Sequence, residues 1–116
     1  MRYLNKENRP WGKFYVLHED EGYKIKKIDV DIDGRLSYQF HKHRSEHWII
    51  IEGDALVTLN NDEKKYTKGD IVFIPKKAPH RIQNIGNKTL EFIEVQTGTY
   101  FGEDDIVRIE DDYKRN

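Results

Sequence analysis

A short stretch of the chain concentrates side chains that could bind a metal. Between positions 39 and 47 it carries Gln39, His41, His43, Glu46 and His47. If this stretch begins as a β-strand, the side chains at positions 39, 41 and 43 point the same way and can converge on one point. Imidazole, carboxylate and amide oxygen together suit Zn, Mn, Fe, Co or Ni, and the ligand types alone do not choose among these metals.

A second segment could supply a further ligand from an adjacent strand. His80 follows a turn marked by Pro75 and Pro79 and begins a strand-like run. Any one of these histidines, taken alone, is more often a surface residue, but the set favours a metal site. On a regular strand His47 faces away from its neighbour Glu46, which favours packing over ligation. His43 could be an extra ligand or a proton shuttle, because an imidazole titrates near neutral pH.

The composition limits the classes of function. The chain has 116 residues and no Cys, which excludes disulfides, thiolate metal sites and a cysteine nucleophile. Lys and Arg number 20 against 21 Asp and Glu, so no overall field attracts nucleic acid or an anionic membrane. No signal-peptide core and no bilayer-length apolar run is present. We therefore expect one cytoplasmic domain whose partners are small molecules or a second copy.

Apolar residues recur mostly with period two, which is the spacing of β-strands. The alternation slips at Lys26 and Lys27, which predicts a bulge in that strand. Short strands separated by turns are typical of an all-β jelly-roll barrel, with an immunoglobulin-like sandwich as the alternative. Residues 1–12 form a predicted N-terminal arm, and the charged segment 101–116 a solvated tail. The predicted strands are Phe14–Leu17, Tyr23–Ile32, Leu36–His41, Trp48–Ile51, Ala55–Leu59, Lys64–Thr67, Ile71–Ile74, His80–Gln83 and Leu90–Gln96.

The two candidate ligand segments resemble the paired motifs of the cupin superfamily, whose members are double-stranded β-helix (jelly-roll) barrels. Aligned on Glu46-x6-Gly53, the first motif places Gln39 and His41 at its two histidine positions and Glu46 at its carboxylate. The sequence departs from the motifs at two positions. Gly34 lies one residue nearer to the first ligand position than the motif's opening Gly, and Lys77 replaces a Gly of the second motif. The second motif matches at Gly69, Pro75, His80 and Asn84.

The Gln at the first ligand position is the form found in phosphomannose isomerases. Almost the whole chain resembles the C-terminal isomerase domain of the type II bifunctional mannose-6-phosphate isomerase / mannose-1-phosphate guanylyltransferases. The family's closing motif differs here, because Lys114 replaces a Gly. The matching signatures are Arg9-Pro-Trp-Gly12, Leu36-Ser-Tyr-Gln-Phe-His41, His43-Arg-Ser-Glu-His-Trp48, Pro79-His-Arg81, Ile93-Glu-Val-Gln96 and Gly102-Glu-Asp-Asp-Ile-Val-Arg108.

The resemblance implies an aldose–ketose isomerase that interconverts mannose 6-phosphate and fructose 6-phosphate through a cis-enediol. It implies one divalent metal per chain, most often zinc, with Co, Mn, Ni or Fe as alternatives, and it implies a homodimer. No nucleotidyltransferase region is present, so guanylyl transfer is not expected. The implied metal ligands are Gln39, His41, Glu46 and His80.

Several further residues are candidates for catalysis and substrate binding. Glu94 and Gln96 interrupt an apolar strand at alternating positions, and polar groups that point into a barrel must be satisfied or functional. Glu94 or His43 is therefore the candidate base, and Gln96 a candidate substrate contact. Arg44 and Arg81 flank the ligands and could hold a phosphate, because Arg can grip its oxygens in bidentate fashion.

Two other functions remain open at this level. The same metal cage serves many reactions, so a cupin dioxygenase or another sugar-modifying enzyme is one alternative. A sugar-binding or regulatory module without catalysis is the other. Oxygen consumption with Fe(II) would test the first, and metal analysis combined with an isomerase assay would test the second.

Overall fold

Strands dominate the computed structural model, which describes residues 1–114. Nine predicted runs become β2 to β10, whereas β1 and β11 have no predicted counterpart. The described residues contain no helix long and apolar enough to cross a membrane. The strands are β1 Asn5–Arg9, β2 Gly12–Asp20, β3 Tyr23–Val30, β4 Tyr38–Phe40, β5 Arg44–Glu52, β6 Asp54–Leu59, β7 Asp62–Thr67, β8 Ile71–Ile74, β9 His80–Asn84, β10 Leu90–Gly98 and β11 Val107–Glu110.

The strands form two antiparallel sheets. One has six strands in the order β1-β2-β3-β10-β5-β8, and the other has five in the order β11-β4-β9-β6-β7. Some sheet neighbours are distant in sequence, as in β10 between β3 and β5, which is the crossing-over expected of a jelly roll. The prediction of an all-β fold is confirmed.

The inward face of the six-stranded sheet changes from apolar to polar along its strands. In one cross-strand row Ile28, Phe92 and Ile50 are neighbours, and all are buried. Full burial of such a side chain stabilises the fold by about 1.5–3 kcal/mol. The next row towards the other end holds the charged residues Lys26 and Glu94 beside Trp48, whose indole N–H donates to Glu94. The apolar half therefore stabilises the barrel, and the polar half is left for chemistry.

The predicted bulge at Lys26 and Lys27 is wrong. Strand β3 pairs with β10 in unbroken register, and the irregularity lies in β2 between Val16 and His18. Lys26 is buried on the same inward face as Ile28. The apolar alternation is interrupted because a lysine occupies an inward position, while the backbone stays regular.

The predicted solvated tail is wrong for the part that packs on the barrel. Residues 107–110 form β11, which pairs with β4. Asp105 is buried, and Asp112 accepts two hydrogen bonds from Arg35, at 2.8 and 2.5 Å. The charged segment packs on the barrel because its carboxylates meet partners there. Arg115 and Asn116, the last two residues of the predicted tail, lie outside the described residues.

Candidate metal centre

Three predicted ligands converge in the polar half of the barrel. One ligand atom each from His41, Glu46 and His80 lies within 4.8 Å of the others, and all three side chains are buried. His41 directly follows β4, Glu46 lies on β5 and His80 begins β9. The fourth predicted ligand, Gln39, is the direct cross-strand neighbour of His80. Strands from both sheets thus bring together residues up to 41 positions apart in the sequence.

The two histidines are held in the tautomer that a metal requires. His41 Nδ1 lies 2.5 Å from the Asp105 carbonyl oxygen, and His80 Nδ1 lies 2.9 Å from the Ala78 carbonyl oxygen. A carbonyl only accepts, so each Nδ1 carries the proton and each Nε2 presents a lone pair. Burial lowers the pKa of both imidazoles to about 4, with Arg44 adding to the effect at His41. Both are therefore neutral at neutral pH, as ligands must be.

The amide of Gln39 supports the assignment of the fourth ligand. Its Oε1 is buried and finds no hydrogen-bond partner within residues 1–114. Leaving a buried acceptor unsatisfied costs about 1–3 kcal/mol. Gln39 lines the same cavity as His41, Glu46 and His80, where a cation would satisfy this oxygen. The residues present therefore fit a divalent metal.

Arg44 shows that the ligand cluster attracts positive charge. Its Nε donates to Glu46 Oε2 at 2.8 Å, and its Nη2 donates to His41 Nε2 at 3.1 Å. Burial opposes the charged form of Glu46, but the Arg44 charge and three hydrogen bonds outweigh it and lower its pKa. A metal bound to His41 Nε2 would replace the Arg44 contact at that atom. Its Nη2 would then be available to other groups in the cavity, while its Nε stays paired with Glu46.

A second carboxyl group lies beside the candidate ligands. Trp48 Nε1 donates to Glu46 at 2.9 Å and to Glu94 at 3.1 Å, and Gln96 Nε2 donates to Glu94 Oε2 at 2.7 Å. Burial, followed by the nearby charge of Glu46, raises the pKa of Glu94 to about 7. The two carboxyl groups thus differ in chemistry. Glu46 is an anion at neutral pH, and Glu94 is able to take up or release a proton.

The cavity brings together some predicted residues and leaves others out. Its volume is roughly 660 Å³, which includes open solvent at its mouth, and Glu94, Arg44 and Arg81 line it with the ligands. Arg81 Nε donates to the Leu36 carbonyl at 3.0 Å, while its buried Nη2 lacks a hydrogen-bond partner in the described part of the chain. Gln96 is fully buried outside this lining, so it holds Glu94 instead of presenting itself to a ligand.

The structure does not bring His43 or His47 to the cavity. Strand β4 ends at Phe40, so the alternation that would carry His43 to the metal side stops before it, and its side chain is exposed. His47 is exposed on the outer face, where its ring packs 4.7 Å from that of Phe73. The packing predicted for His47 agrees with this position. The proton-shuttle role suggested for His43 has no support from its placement.

Four charged residues that line the cavity were not among the predicted site residues: Arg9, Lys26, Glu103 and Arg108. Lys26 and Glu103 form an ion pair of 2.8 Å. The sequence did indicate that Lys26 points inward, because it alternates along strand β3 with Ile28 and Val30, which are buried. For Glu103 the sequence held no such signal, since it lies between strands β10 and β11.

Asp105 is a positioning residue, because it holds His41 and the following loop. Its carbonyl accepts from His41, and its carboxylate accepts from the backbone N–H groups of Lys42 and His43, each at 3.0 Å. We expect Asp105→Ala to loosen the loop and lower metal affinity by about 10- to 100-fold, as for other groups that support a ligand. Competition titration with a metal-binding dye measures this.

The neighbouring carboxylate provides the matched control for Asp105. Asp104 is exposed and accepts a hydrogen bond from the Tyr100 hydroxyl, away from the ligands. Asp104→Ala should leave metal affinity unchanged. Nitrogen-15 spectra of the imidazoles should also show a mixed tautomer for His41 in Asp105→Ala only. Equal metal affinity in the two variants would contradict the positioning role.

Comparison with known proteins identifies a family. The family described as the mannose-6-phosphate isomerase C-terminal matches residues 2–111. A mannose-1-phosphate guanylyltransferase of Salmonella montevideo is 45% identical over 108 residues, which are 93% of this chain and 23% of that protein. The xanthan biosynthesis protein XanB of Xanthomonas campestris is 44% identical over 107 residues, 92% of this chain and 23% of that protein. The chain thus spans about a quarter of the length of these relatives.

Solved structures identify the fold. Oxalate decarboxylase of Bacillus subtilis superimposes with a TM-score of 0.80 at 20% identity, over 90% of this chain and 30% of that one. The cupin domain of Schizosaccharomyces pombe Cnp3 superimposes with a TM-score of 0.72 at 20% identity, over 74% of this chain and 64% of that one. The predicted cupin fold is confirmed, and the immunoglobulin-like alternative is excluded.

Proposed function

The chain belongs to the family of mannose-6-phosphate isomerase C-terminal domains, and from this membership we propose that it is a metal-dependent aldose–ketose isomerase. Its proposed reaction interconverts mannose 6-phosphate and fructose 6-phosphate. The observation that carries the proposal is the arrangement of two different carboxyl groups in one cavity. Glu46 belongs to the ligand cluster, and Glu94 lies beside it with a raised pKa.

The cavity residues divide the work of such a reaction. Gln39, His41, Glu46 and His80 would hold the metal, and zinc is the proposed ion because the resemblance to the phosphomannose isomerases implies it and the ligand set accepts it. When bound, the metal supplies a Lewis acid at the carbonyl and hydroxyl oxygens of the sugar.

Glu94 is the residue proposed to move the proton between C2 and C1. Isomerisation removes a proton from the carbon next to a carbonyl and returns it to the neighbouring carbon, so one group can act as base and then as acid. Trp48 and Gln96 fix the two oxygens of Glu94 by hydrogen bonds. The carboxyl group is therefore held in one orientation beside the ligand cluster.

Arginines at the cavity wall are proposed to bind oxygen atoms of the sugar phosphate. Arg81 offers a buried Nη2 that has no hydrogen-bond partner in residues 1–114, its nearest anion being an Asp112 oxygen in an ion pair of 4.0 Å. Arg44 offers donors once a metal replaces its contact with His41. Both groups can bind two oxygens at once, which favours orientation of the substrate.

An isomerase assay tests the proposed function. The metal-loaded protein is expected to convert mannose 6-phosphate to fructose 6-phosphate, to lose activity on chelation and to regain it when Zn, Co or Mn is added. Mannose 1-phosphate is the matched control, since its blocked C1 cannot form an enediol. A protein that carries about one metal per chain but neither turns over nor binds mannose 6-phosphate would instead be a non-catalytic module.

A further inference from the structure

Lys26 is a buried cation inside the cavity that holds the candidate ligands. Only 3% of its surface is exposed, and its Nζ lies 4.2 Å from the centre of the Phe14 ring. Its cross-strand neighbour is Glu94, so it lies next to the proposed site of proton transfer. A buried ammonium group requires an anion, because desolvation of an unpaired charge is strongly unfavourable.

The anion that Lys26 now holds comes from the segment between β10 and β11. Glu103 Oε2 accepts from Lys26 Nζ at 2.8 Å. The two partners differ in their access to water, because 44% of the Glu103 side chain is exposed against 4% of that of Lys26. Glu103 can therefore move into solvent at small cost, whereas Lys26 cannot leave the barrel. Only the anion of this pair is replaceable.

Glu103 is not needed to attach its own segment to the barrel. Asp105, two residues further on, holds three contacts with residues 41–43. Strand β11 then pairs with β4 from Val107 onwards. Since these contacts fix the segment, the ion pair of Glu103 and Lys26 can break without detaching the segment from the barrel.

A second cation, Arg44, lines the same cavity as this anion. The charges of Lys26 and Arg44 both act on Glu103, and although burial opposes its charged form, they lower its pKa. Arg44 also contacts Glu46 and His41. A dianionic group that replaced Glu103 would thus meet an ammonium and a guanidinium together.

We propose that Lys26, with Arg44 beside it, forms a phosphate subsite in the cavity, and that Glu103 occupies this subsite until a phosphorylated ligand displaces it. The identity of the ligand as a sugar phosphate rests on the proposed function. The binding of phosphate by Lys26 does not. Glu103 then acts as an internal competitor, and phosphate and the Glu103 carboxylate bind Lys26 in alternation.

Calorimetry with inorganic phosphate tests the subsite on the metal-loaded full chain. Glu103→Gln keeps the size of the side chain but removes the competing charge, so the Kd for phosphate should fall several-fold. Lys26→Met keeps the aliphatic stem and removes the ammonium, so the Kd should rise by at least about tenfold. Thermal unfolding of each variant checks the fold, and Glu103→Gln gives a result even if Lys26→Met proves unstable.

The outer face of strands β3 and β10 supplies matched controls. Lys27 and Glu91 form an ion pair of 2.8 Å there, outside the cavity. Lys27→Met and Glu91→Gln should leave the phosphate Kd unchanged. An unchanged Kd in Glu103→Gln, or full phosphate binding by folded Lys26→Met, would overturn the subsite. Phosphate binding with the expected dependence but without isomerisation would leave the subsite standing and reject only the proposed function.

Discussion

Replacing His41 or His80 with Ala is expected to abolish tight binding of a divalent metal. One ring nitrogen of each imidazole lies within 4.8 Å of a Glu46 oxygen, and backbone carbonyls that accept from Nδ1 fix both tautomers. Loss of one removes a donor and the geometry that the others share. The decrease in affinity should exceed the roughly 10- to 100-fold typical of mutating a hydrogen-bond partner of a ligand. Metal content per chain after dialysis measures it.

His47 provides the matched control for these two substitutions. It lies one residue from Glu46 but on the outer face of β5, where it packs on Phe73. His47→Ala should therefore retain its metal. Circular dichroism of the metal-free proteins separates loss of a ligand from loss of the fold, since His41 and His80 are buried. Retention of metal by folded His41→Ala and His80→Ala would reject the ligand assignment.

The resemblance to the cupin motifs implied the ligand cluster, and strand alternation accounts for only part of it. Gln39 on β4 and His41 directly after it hold alternating positions, whereas Glu46 lies on β5 and His80 on β9. Strand alternation, however, does not reveal where a strand stops. The position of His43 depends on Asp105, which accepts from its backbone N–H 62 residues away. A contact of that kind fixes the loop geometry, and the residues around His43 do not predict it.

Charged residues account for most of what the sequence did not predict. A lysine or glutamate is exposed by default, and burial becomes favourable only when the fold supplies a partner. Lys26 meets Glu103 across 77 positions, and Arg35 meets Asp112 across the same separation. Composition therefore assigns these side chains to solvent. The fold of the C-terminal segment and the charge of the cavity both follow from these distant pairs.

Strand positions whose side chains point into the barrel indicated function where the residue there is polar. Glu94 and Gln96 were predicted to point into the barrel, and both are buried there. The same rule applies to Lys26, which alternates along β3 with Ile28 and Val30. A polar residue at an inward position must be satisfied or functional. Of these side chains Glu94 and Lys26 line the cavity, whereas Gln96 only supports its neighbour.

Replacing Glu94 with Gln is expected to lower kcat for the proposed isomerisation by about 10²- to 10⁴-fold, the usual contribution of a general acid–base group. The amide keeps the size of the side chain but cannot exchange a proton. Metal content should be unchanged, because the ligand cluster consists of other residues. Uptake of deuterium from solvent at C2 of mannose 6-phosphate should disappear with the activity.

Glu91 is the control for this last substitution, since it lies on the same strand with its side chain outside the cavity lining. Glu91→Gln should keep kcat and deuterium uptake. Because Glu94 accepts from both Trp48 and Gln96, its amide replacement leaves one buried donor poorly paired and should destabilise the fold by about 1–3 kcal/mol. Assays well below the unfolding midpoint separate this cost from catalysis. A folded, metal-bound Glu94→Gln enzyme with wild-type kcat would remove Glu94 from the chemistry and require another proton carrier in the cavity.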